Sequence, residues 1–257
     1  MLIAAPASAV GLCAGEVPTI TGNGGANHLV GTPGDDVIWA GGGDDVVEGM
    51  GGNDLICGNG GNDTLSGNGG HDTLIGGSGD DVLQGGSDQD LLRGQGGNDT
   101  LKPGNDLNWS YGGPGDDRFI VQSGDHEMYG GAGSDVIDAR LSPVDGASFD
   151  LRNNGSGGTY ASMAAGALLF GIEHAIGTSG DDTIIGNSQA NSLSGAGGDD
   201  TIEGKGGDDE LRGGGGDDVL RGKAGDDYLN GGPGANQLFG GTGFDVCTRG
   251  TTVGCEA

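Results

Sequence analysis

Hydrophobic and polar positions recur with a period of nine residues over most of this chain. From Gly31 to Lys102, eight consecutive windows carry the pattern Gly-x-x-Gly-x-Asp-x-aliphatic-x, apart from Ala40 at one first place and Asp88 at one fourth place, and the eighth place is always aliphatic. Residues around that place often alternate between polar and apolar, which is typical of a very short strand with one side chain in a core. A fixed short period indicates a solenoid. The pattern therefore predicts an all-β repeat fold.

The nine-residue frame extends beyond this stretch in both directions. Residues 22–30 keep it with Asn27 at the sixth place, and residues 112–120 and 130–138 restore it after two degenerate windows. The phase is lost after residue 138. A second block of eight windows then occupies residues 177–248.

The two degenerate windows carry different residues at the key places. In residues 103–111 an aspartate, Asp106, is displaced from the sixth place. Residues 121–129 offer His126 at the sixth place instead of an aspartate. The nine-residue frame nevertheless survives these windows.

The repeated residue types indicate the chemistry of a candidate site. Glycine at the first and fourth places is expected to take positive φ, so that the chain turns sharply and presents its carbonyls. Aspartate at the sixth place supplies a hard anionic oxygen. Such a donor set, with almost no Cys or His, selects calcium over zinc or copper. The predicted metal ligands are Asp36, Asp45, Asp54, Asp63, Asp72, Asp81, Asp90, Asp99, Asp117, Asp135, Asp182, Asp200, Asp209, Asp218, Asp227 and Asp245.

On these windows the chain resembles the RTX family, the hemolysin-type calcium-binding repeats. The resemblance implies a right-handed parallel β-roll, a β-solenoid in which two nonapeptides form one turn of eighteen residues. It also implies calcium between stacked turns, held by sixth-place aspartates and by carbonyls of the glycine turns. The chain departs from the family pattern at Asn191 and Asn236, and at the fourth-place residues Asp88 and Gln189.

Composition adds a condition to this interpretation. The formal net charge is −28, from 38 acidic and 10 basic residues, and aromatic residues make up only 4%. Low hydrophobicity with high net charge predicts disorder, so the metal-free chain is expected to repel itself and to fold when about ten calcium ions bind. The negative charge also argues against nucleic acid or anionic membrane as a partner.

The N-terminal residues and the cysteines indicate a location. Met1–Ala9 resembles the tail of a secretory signal, with Ala7-Ser8-Ala9 as the cleavage site, although an ordinary apolar terminus is the alternative and the true start may precede Met1. The most apolar run, Ala161–Phe170, is too short to span a membrane. We therefore expect a secreted, extracellular protein.

Four cysteines fit an oxidising compartment and allow three disulfide connectivities. Cys247 and Cys255 would close a short loop at the last repeat, which favours their pairing and would leave Cys13 with Cys57. A free-thiol metal site is the alternative, but no CxxC spacing supports it. Stapled ends suit a solenoid, whose terminal repeats need capping.

The interruption, residues 139–176, has its own character. Ala147–Leu151 alternates apolar and polar residues and predicts a strand, whereas Ala161–Leu169 is compatible with either a strand or a helix. The family resemblance implies that the segment widens the roll within the same stack, ending in the run Ile172–Thr178. The expected organisation is a leader at 1–12, a first block at 13–138, this insertion, a second block at 177–248 and a C-terminal cap at 249–257.

No motif predicts catalysis. The four histidines are scattered, no H-E-x-x-H or G-x-S-x-G pattern occurs, and the adjacent aspartates recur too often to be an acid and base pair. The expected function is that of a monomeric extracellular calcium-binding protein with a structural or surface-association role. The alternative is a calcium-dependent carbohydrate-binding or adhesive module that binds extracellular polysaccharide, and a third possibility is the detached folding module of a secreted enzyme or toxin.

Overall fold

The computed structural model describes residues 12–122, 126–142, 146–151 and 168–256. Within these ranges the regular secondary structure consists of β-strands, and there is no helix. The strands are β1 (Ile20–Asn23), β2 (His28–Val30), β3 (Val37–Gly42), β4 (Val46–Gly51), β5 (Leu55–Gly60), β6 (Thr64–Gly69), β7 (Thr73–Ser78), β8 (Val82–Ser87), β9 (Leu91–Gly96), β10 (Thr100–Gly104), β11 (Asn108–Pro114), β12 (Arg118–Ile120), β13 (His126–Ala132), β14 (Val136–Asp138), β15 (Ser148–Asp150), β16 (Leu168–Phe170), β17 (His174–Ile176), β18 (Thr183–Ile185), β19 (Ser192–Gly197), β20 (Thr201–Gly206), β21 (Glu210–Gly215), β22 (Val219–Ala224), β23 (Tyr228–Asn230), β24 (Gln237–Thr242), β25 (Val246–Thr248) and β26 (Thr251–Val253).

These strands form three parallel sheets. The first sheet has the order β1-β3-β5-β7-β9-β11-β13-β16, and the second has the order β2-β4-β6-β8-β10-β12-β14-β17-β19-β21-β23-β25. The third sheet has the order β15-β18-β20-β22-β24-β26. Successive windows alternate between two facing sheets, and most strands pair with the strand eighteen residues later, as Ile56 pairs with Leu74. The separation differs around the insertion, where Val136 pairs with His174, and at the C-terminus, where Gln237 pairs with Thr251. The all-β parallel solenoid expected from the nine-residue period is confirmed.

The eighth-place side chains form the core between the facing sheets. Leu65, Leu74 and Leu83 are fully buried, and the same holds for Leu211 and Leu220 in the second block. Each buried side chain of this size contributes about 1.5–3 kcal/mol by leaving water. One coil, the eighteen residues of two successive windows, buries only two such side chains. The core therefore becomes continuous only when coils stack.

The insertion changes which sheets face each other. Strand β16 ends the first sheet against β13, and β15 begins the third sheet against β18. The second sheet continues without a break from β14 through β17 to β19. The strand predicted at Ala147–Leu151 is confirmed as β15. Of the segment that was compatible with either strand or helix, Leu168–Phe170 is a strand and residues 161–167 lie outside the described residues.

Disulfides close both ends of the described chain. Cys13 is bonded to Cys57, with Cα atoms 5.6 Å apart, and Cys247 is bonded to Cys255, with Cα atoms 5.8 Å apart. Both predicted pairs are confirmed. Residues 1–11, which include the predicted signal segment, lie outside the described residues. In the part of the chain that the structure describes, no helix is long and apolar enough to cross a membrane.

Candidate metal centre

The sixth-place aspartates form columns along the turns of the solenoid. All sixteen predicted ligands are buried at these turns. In each column one carboxylate oxygen, Oδ1, accepts a hydrogen bond from the backbone N–H of the sixth-place residue eighteen positions earlier. Asp36 N donates to Asp54 Oδ1 at 2.9 Å, and Asp54 N donates to Asp72 Oδ1 at 2.8 Å. The ladder holds fourteen of the sixteen carboxylates in this way, whereas Asp36 Oδ1 accepts from Thr19 Oγ1 and Asp182 Oδ1 accepts from Ala147 N.

The second oxygen of most of these carboxylates has no hydrogen-bond partner. Within the described residues, fourteen of the sixteen aspartates have a buried Oδ2 atom that accepts no hydrogen bond. Leaving a buried carboxylate oxygen unpaired is costly, so such atoms call for a counter-charge. These are Asp45, Asp54, Asp63, Asp72, Asp81, Asp90, Asp99, Asp117, Asp135, Asp200, Asp209, Asp218, Asp227 and Asp245. Regularly spaced, hard, unpaired oxygens beside backbone carbonyls fit Ca²⁺.

The electrostatics of the columns support the same conclusion. Burial raises the pKa of Asp81, Asp90 and Asp200 and neighbouring aspartates raise it further, although the backbone hydrogen bond opposes both effects. The pKa reaches about 7 for Asp81, Asp90, Asp135, Asp200 and Asp209. It reaches about 6 for Asp72, Asp99 and Asp117. The roll thus disfavours negative charge at these sites unless a cation neutralises it.

First-place glycine makes room for the carboxylate. A Cβ atom at Gly58 would lie 2.2 Å from Asp63 Oδ2, and a Cβ atom at Gly49 would lie 2.3 Å from Asp54 Oδ2. The expectation that the first place takes positive φ is wrong. Positive φ occurs at the second and fourth places instead, as at Met50 (84°) and Gly52 (105°). The second-place residue therefore shapes the turn, which the repeat pattern did not reveal because many residue types occupy that place.

Fifth-place side chains form a separate, exposed ladder. Asp35 Oδ1 accepts a hydrogen bond from Asn53 N at 2.7 Å, and Asp199 Oδ1 accepts one from Asp217 N at 2.8 Å. These bonds run to the following coil, whereas the sixth-place bonds run to the preceding one. Adjacent aspartates in one repeat thus have different hydrogen-bonding roles, and both are parts of the stack.

Two of the predicted ligands have different surroundings. Asp36 Oδ2 accepts hydrogen bonds from Thr32 N at 2.6 Å and Thr32 Oγ1 at 2.9 Å, and Asp182 Oδ2 accepts one from Thr178 N at 2.7 Å. Burial raises the pKa of Asp36, but the bonds from Thr32 and Thr19 outweigh it and lower the pKa below its ordinary value. Threonine at the second place of both windows was the sequence signal for this difference.

The side chains of the sixth-place asparagines also form hydrogen bonds within the protein. The Asn236 side-chain amide donates to the carbonyl oxygens of Gly232 at 3.0 Å and Arg249 at 3.2 Å. The Asn191 amide donates to Glu173 O at 2.8 Å. In the degenerate window 103–111, Asn108 fills the sixth place, and its Oδ1 accepts from Asp90 N at 2.6 Å.

Side chains alone do not surround a metal here. No group of three or more His, Cys, Asp or Glu residues converges as a metal cluster in the described ranges. Each turn brings one buried carboxylate with an unpaired oxygen, so the remaining donors to an ion would be backbone carbonyls. This donor chemistry suits calcium better than zinc or copper.

The comparisons with known proteins agree with this geometry. A family profile described as the RTX calcium-binding nonapeptide repeat (4 copies) matches residues 21–56, 58–92, 66–101, 108–141, 176–211 and 212–247. These matches together cover more than half of the chain. No curated protein matches it.

Proposed function

Because this chain belongs to the RTX calcium-binding nonapeptide repeat family, we propose that it is a secreted calcium-binding repeat protein. Calcium bound along the turns drives folding of the β-roll, and the folded roll has a structural or surface-association role. The role is not catalytic. About ten ions are expected, in the weak affinity range of extracellular calcium modules, about 10⁻⁴–10⁻³ M.

The observation that carries this proposal is the repeated buried Oδ2 atom without a partner. The sixth-place aspartates and the carbonyls of the glycine turns would hold the ions. Bound calcium supplies positive charge beside carboxylates that would otherwise repel one another along each column. The free energy of calcium binding then contributes directly to the free energy of folding, because the unfolded chain has no preformed site.

Secretion is supported by the two disulfides, which persist in oxidising compartments. The Ala7-Ser8-Ala9 sequence supports it as well. Extracellular calcium in the millimolar range would keep weak sites filled.

Far-UV circular dichroism during a calcium titration tests the proposal, with the disulfides intact. We expect a cooperative gain of β signal with calcium and none with equal magnesium, because Mg²⁺ requires a smaller, near-ideal octahedral site. A chain that is fully folded in chelator at neutral pH, or that never folds with calcium, would contradict the proposal.

A second candidate function, calcium-dependent carbohydrate binding or adhesion, is favoured by a groove on the first sheet. Exposed Arg93 lies over the Tyr111 ring, 5.8 Å from its centroid, and Tyr111 stacks on Tyr129 at 4.7 Å. Arg93, Tyr111 and Pro114 line a groove of about 640 Å³. A similar pair recurs in the third sheet, where Arg221 lies 5.4 Å from the Phe239 centroid. A cation beside an aromatic ring suits a sugar that carries a carboxylate.

An array of neutral and acidic polysaccharides, probed in calcium, tests this second function. We expect binding to an acidic polysaccharide that Arg93→Ala reduces at least tenfold. Arg212→Ala is the matched control, since it removes a ninth-place arginine that is paired with Glu210 instead of a ring. Absence of binding, or equal loss in both variants, would exclude this groove as the site.

A further inference from the structure

The turns of the solenoid fall into two conformations. In most windows both the second and the fourth residue have positive φ, and we term these open turns. The exceptions with fully described turns include the windows that begin at Gly22, Gly31, Gly177 and Gly186, where neither place has positive φ. We term these four closed turns. They are the first two windows of each block.

Threonine completes one closed turn in each block. Thr32 donates its N–H and its hydroxyl to Asp36 Oδ2, at 2.6 and 2.9 Å. Thr178 donates its N–H to Asp182 Oδ2 at 2.7 Å and its hydroxyl to Asp182 Oδ1 at 3.0 Å. The oxygen that is unpaired in the open turns is therefore hydrogen-bonded within the turn itself.

Asparagine completes the other closed turn in each block. Asn23 N donates to Asn27 Oδ1 at 3.1 Å, and Asn187 N donates to Asn191 Oδ1 at 2.8 Å. The same second-place N–H thus meets the same sixth-place oxygen, although the sixth residue is neutral. In the closed turns the second-place N–H therefore donates to the sixth-place side chain whether that side chain is charged or neutral.

We propose that the closed turns bind no calcium, so that Asp36 and Asp182 are capping residues and the ligands begin with the open turns. This inference rests on the proposed calcium-binding function. The N–H and hydroxyl of the second-place residue satisfy the carboxylate that a cation would otherwise satisfy. Each block thereby begins with one metal-independent coil, on which the calcium-dependent coils stack. The φ of the second-place residue, positive in open turns and negative in closed turns, distinguishes the two classes.

The test compares isosteric substitutions in stacked positions. Asp36 and Asp54 lie eighteen residues apart in one column, as do Asp182 and Asp200. Bound ions are counted by native mass spectrometry of the calcium-folded protein. We expect Asp36→Asn and Asp182→Asn to bind as many ions as the wild-type protein, and Asp54→Asn and Asp200→Asn to bind at least one fewer. Asparagine is the natural residue in two closed turns, so the first pair is expected to fold.

Each outcome separates the inference from the function on which it rests. If Asp36→Asn and Asp182→Asn lose ions as the open-turn variants do, the closed turns bind calcium and the inference is wrong while the function stands. If neither closed-turn variant folds in calcium but both open-turn variants do, the inference is also wrong. A wild-type protein without bound calcium would overturn the proposed function and the inference with it.

Discussion

At the scale of single residues, the two oxygens of one aspartate have separate roles. Asp63 Oδ1 accepts a hydrogen bond from Asp45 N at 2.8 Å, which joins successive coils, while Asp63 Oδ2 has no hydrogen-bond partner among the residues that the structure describes. An asparagine at this place keeps the hydrogen bond but loses the charge, as Asn108 shows by accepting one from Asp90 N. Aspartate therefore joins the coils and, under the proposed function, leaves one anionic oxygen for calcium.

Glycine at the fourth place is the next residue on which the turn depends. A Cβ at Gly52, which has a φ of 105°, would lie 2.4 Å from the backbone carbon of Gly34. A Cβ at neighbouring Gly51 would lie no closer than 3.7 Å to another atom. We expect Gly52→Ala to lower the free energy of unfolding in calcium by about 1–3 kcal/mol through strain and overpacking.

Gly51→Ala is the matched control for this prediction and is expected to change stability by less than about 0.5 kcal/mol. Urea unfolding of both variants in saturating calcium measures the difference. Equal stabilities would show that the fourth-place turn relaxes at no cost. Asp88, which has a φ of 75° at the same place, shows that a non-glycine residue can occupy it with a smaller φ.

At the scale of elements, most strands that precede an open turn continue into that turn. Strands β4 to β9 each run six residues, through the third place of the next window, because second-place residues also pair between coils, as Met50 pairs with Asn68. Strands before closed turns are shorter: β2, β17 and β18 have three residues each, although β23 is equally short before an open turn. The nine-residue pattern located most of these strands through a buried eighth-place residue. Most strand ends follow the turn conformation, which the pattern does not encode.

The ends of the two blocks differ from their interiors in the hydrogen-bond acceptor of the last sixth-place aspartate. Where no further sixth-place aspartate follows, a glutamate takes its place as hydrogen-bond acceptor. Glu173 Oε2 accepts from Asp135 N at 3.0 Å, and Glu256 Oε2 accepts from Asp245 N at 2.5 Å. Each block thus begins with closed turns and ends with a glutamate, and the Asp138 carboxylate beside the first block end is paired with Arg118 and Arg140.

At the scale of the whole molecule, the proposed function implies that protons and calcium would compete for the same oxygens. Burial raises the pKa of Asp81 and Asp200 to about 7, above the ordinary value of an exposed aspartate. The metal-free roll therefore binds more protons than the unfolded chain between about pH 4 and pH 7. Its stability falls as the pH rises through this window, because the raised carboxyls must then ionise without a counter-charge.

We accordingly expect that low pH partly stabilises the metal-free roll, as calcium is expected to do at higher pH. In metal-free buffer, the far-UV β signal should be larger near pH 4.5 than near pH 8, and saturating calcium at pH 8 should restore it. Circular dichroism over a pH series, with and without calcium, measures this. A metal-free β signal that grows as the pH rises would contradict the prediction, since it would mean that the carboxyls have lowered pKa values in the roll.

The sequence by itself determined the period, the solenoid, the eighth-place core and the rows of sixth-place carboxylates. These follow from local chemistry that every repeat restates, and the short spacing between Cys247 and Cys255 similarly indicated their pairing. Only the tertiary structure decided which carboxylate oxygens remain unpaired, which turns are closed, and where one sheet replaces another at the insertion. Those features depend on contacts between residues eighteen or more positions apart, and on a second-place φ that no single residue type specifies.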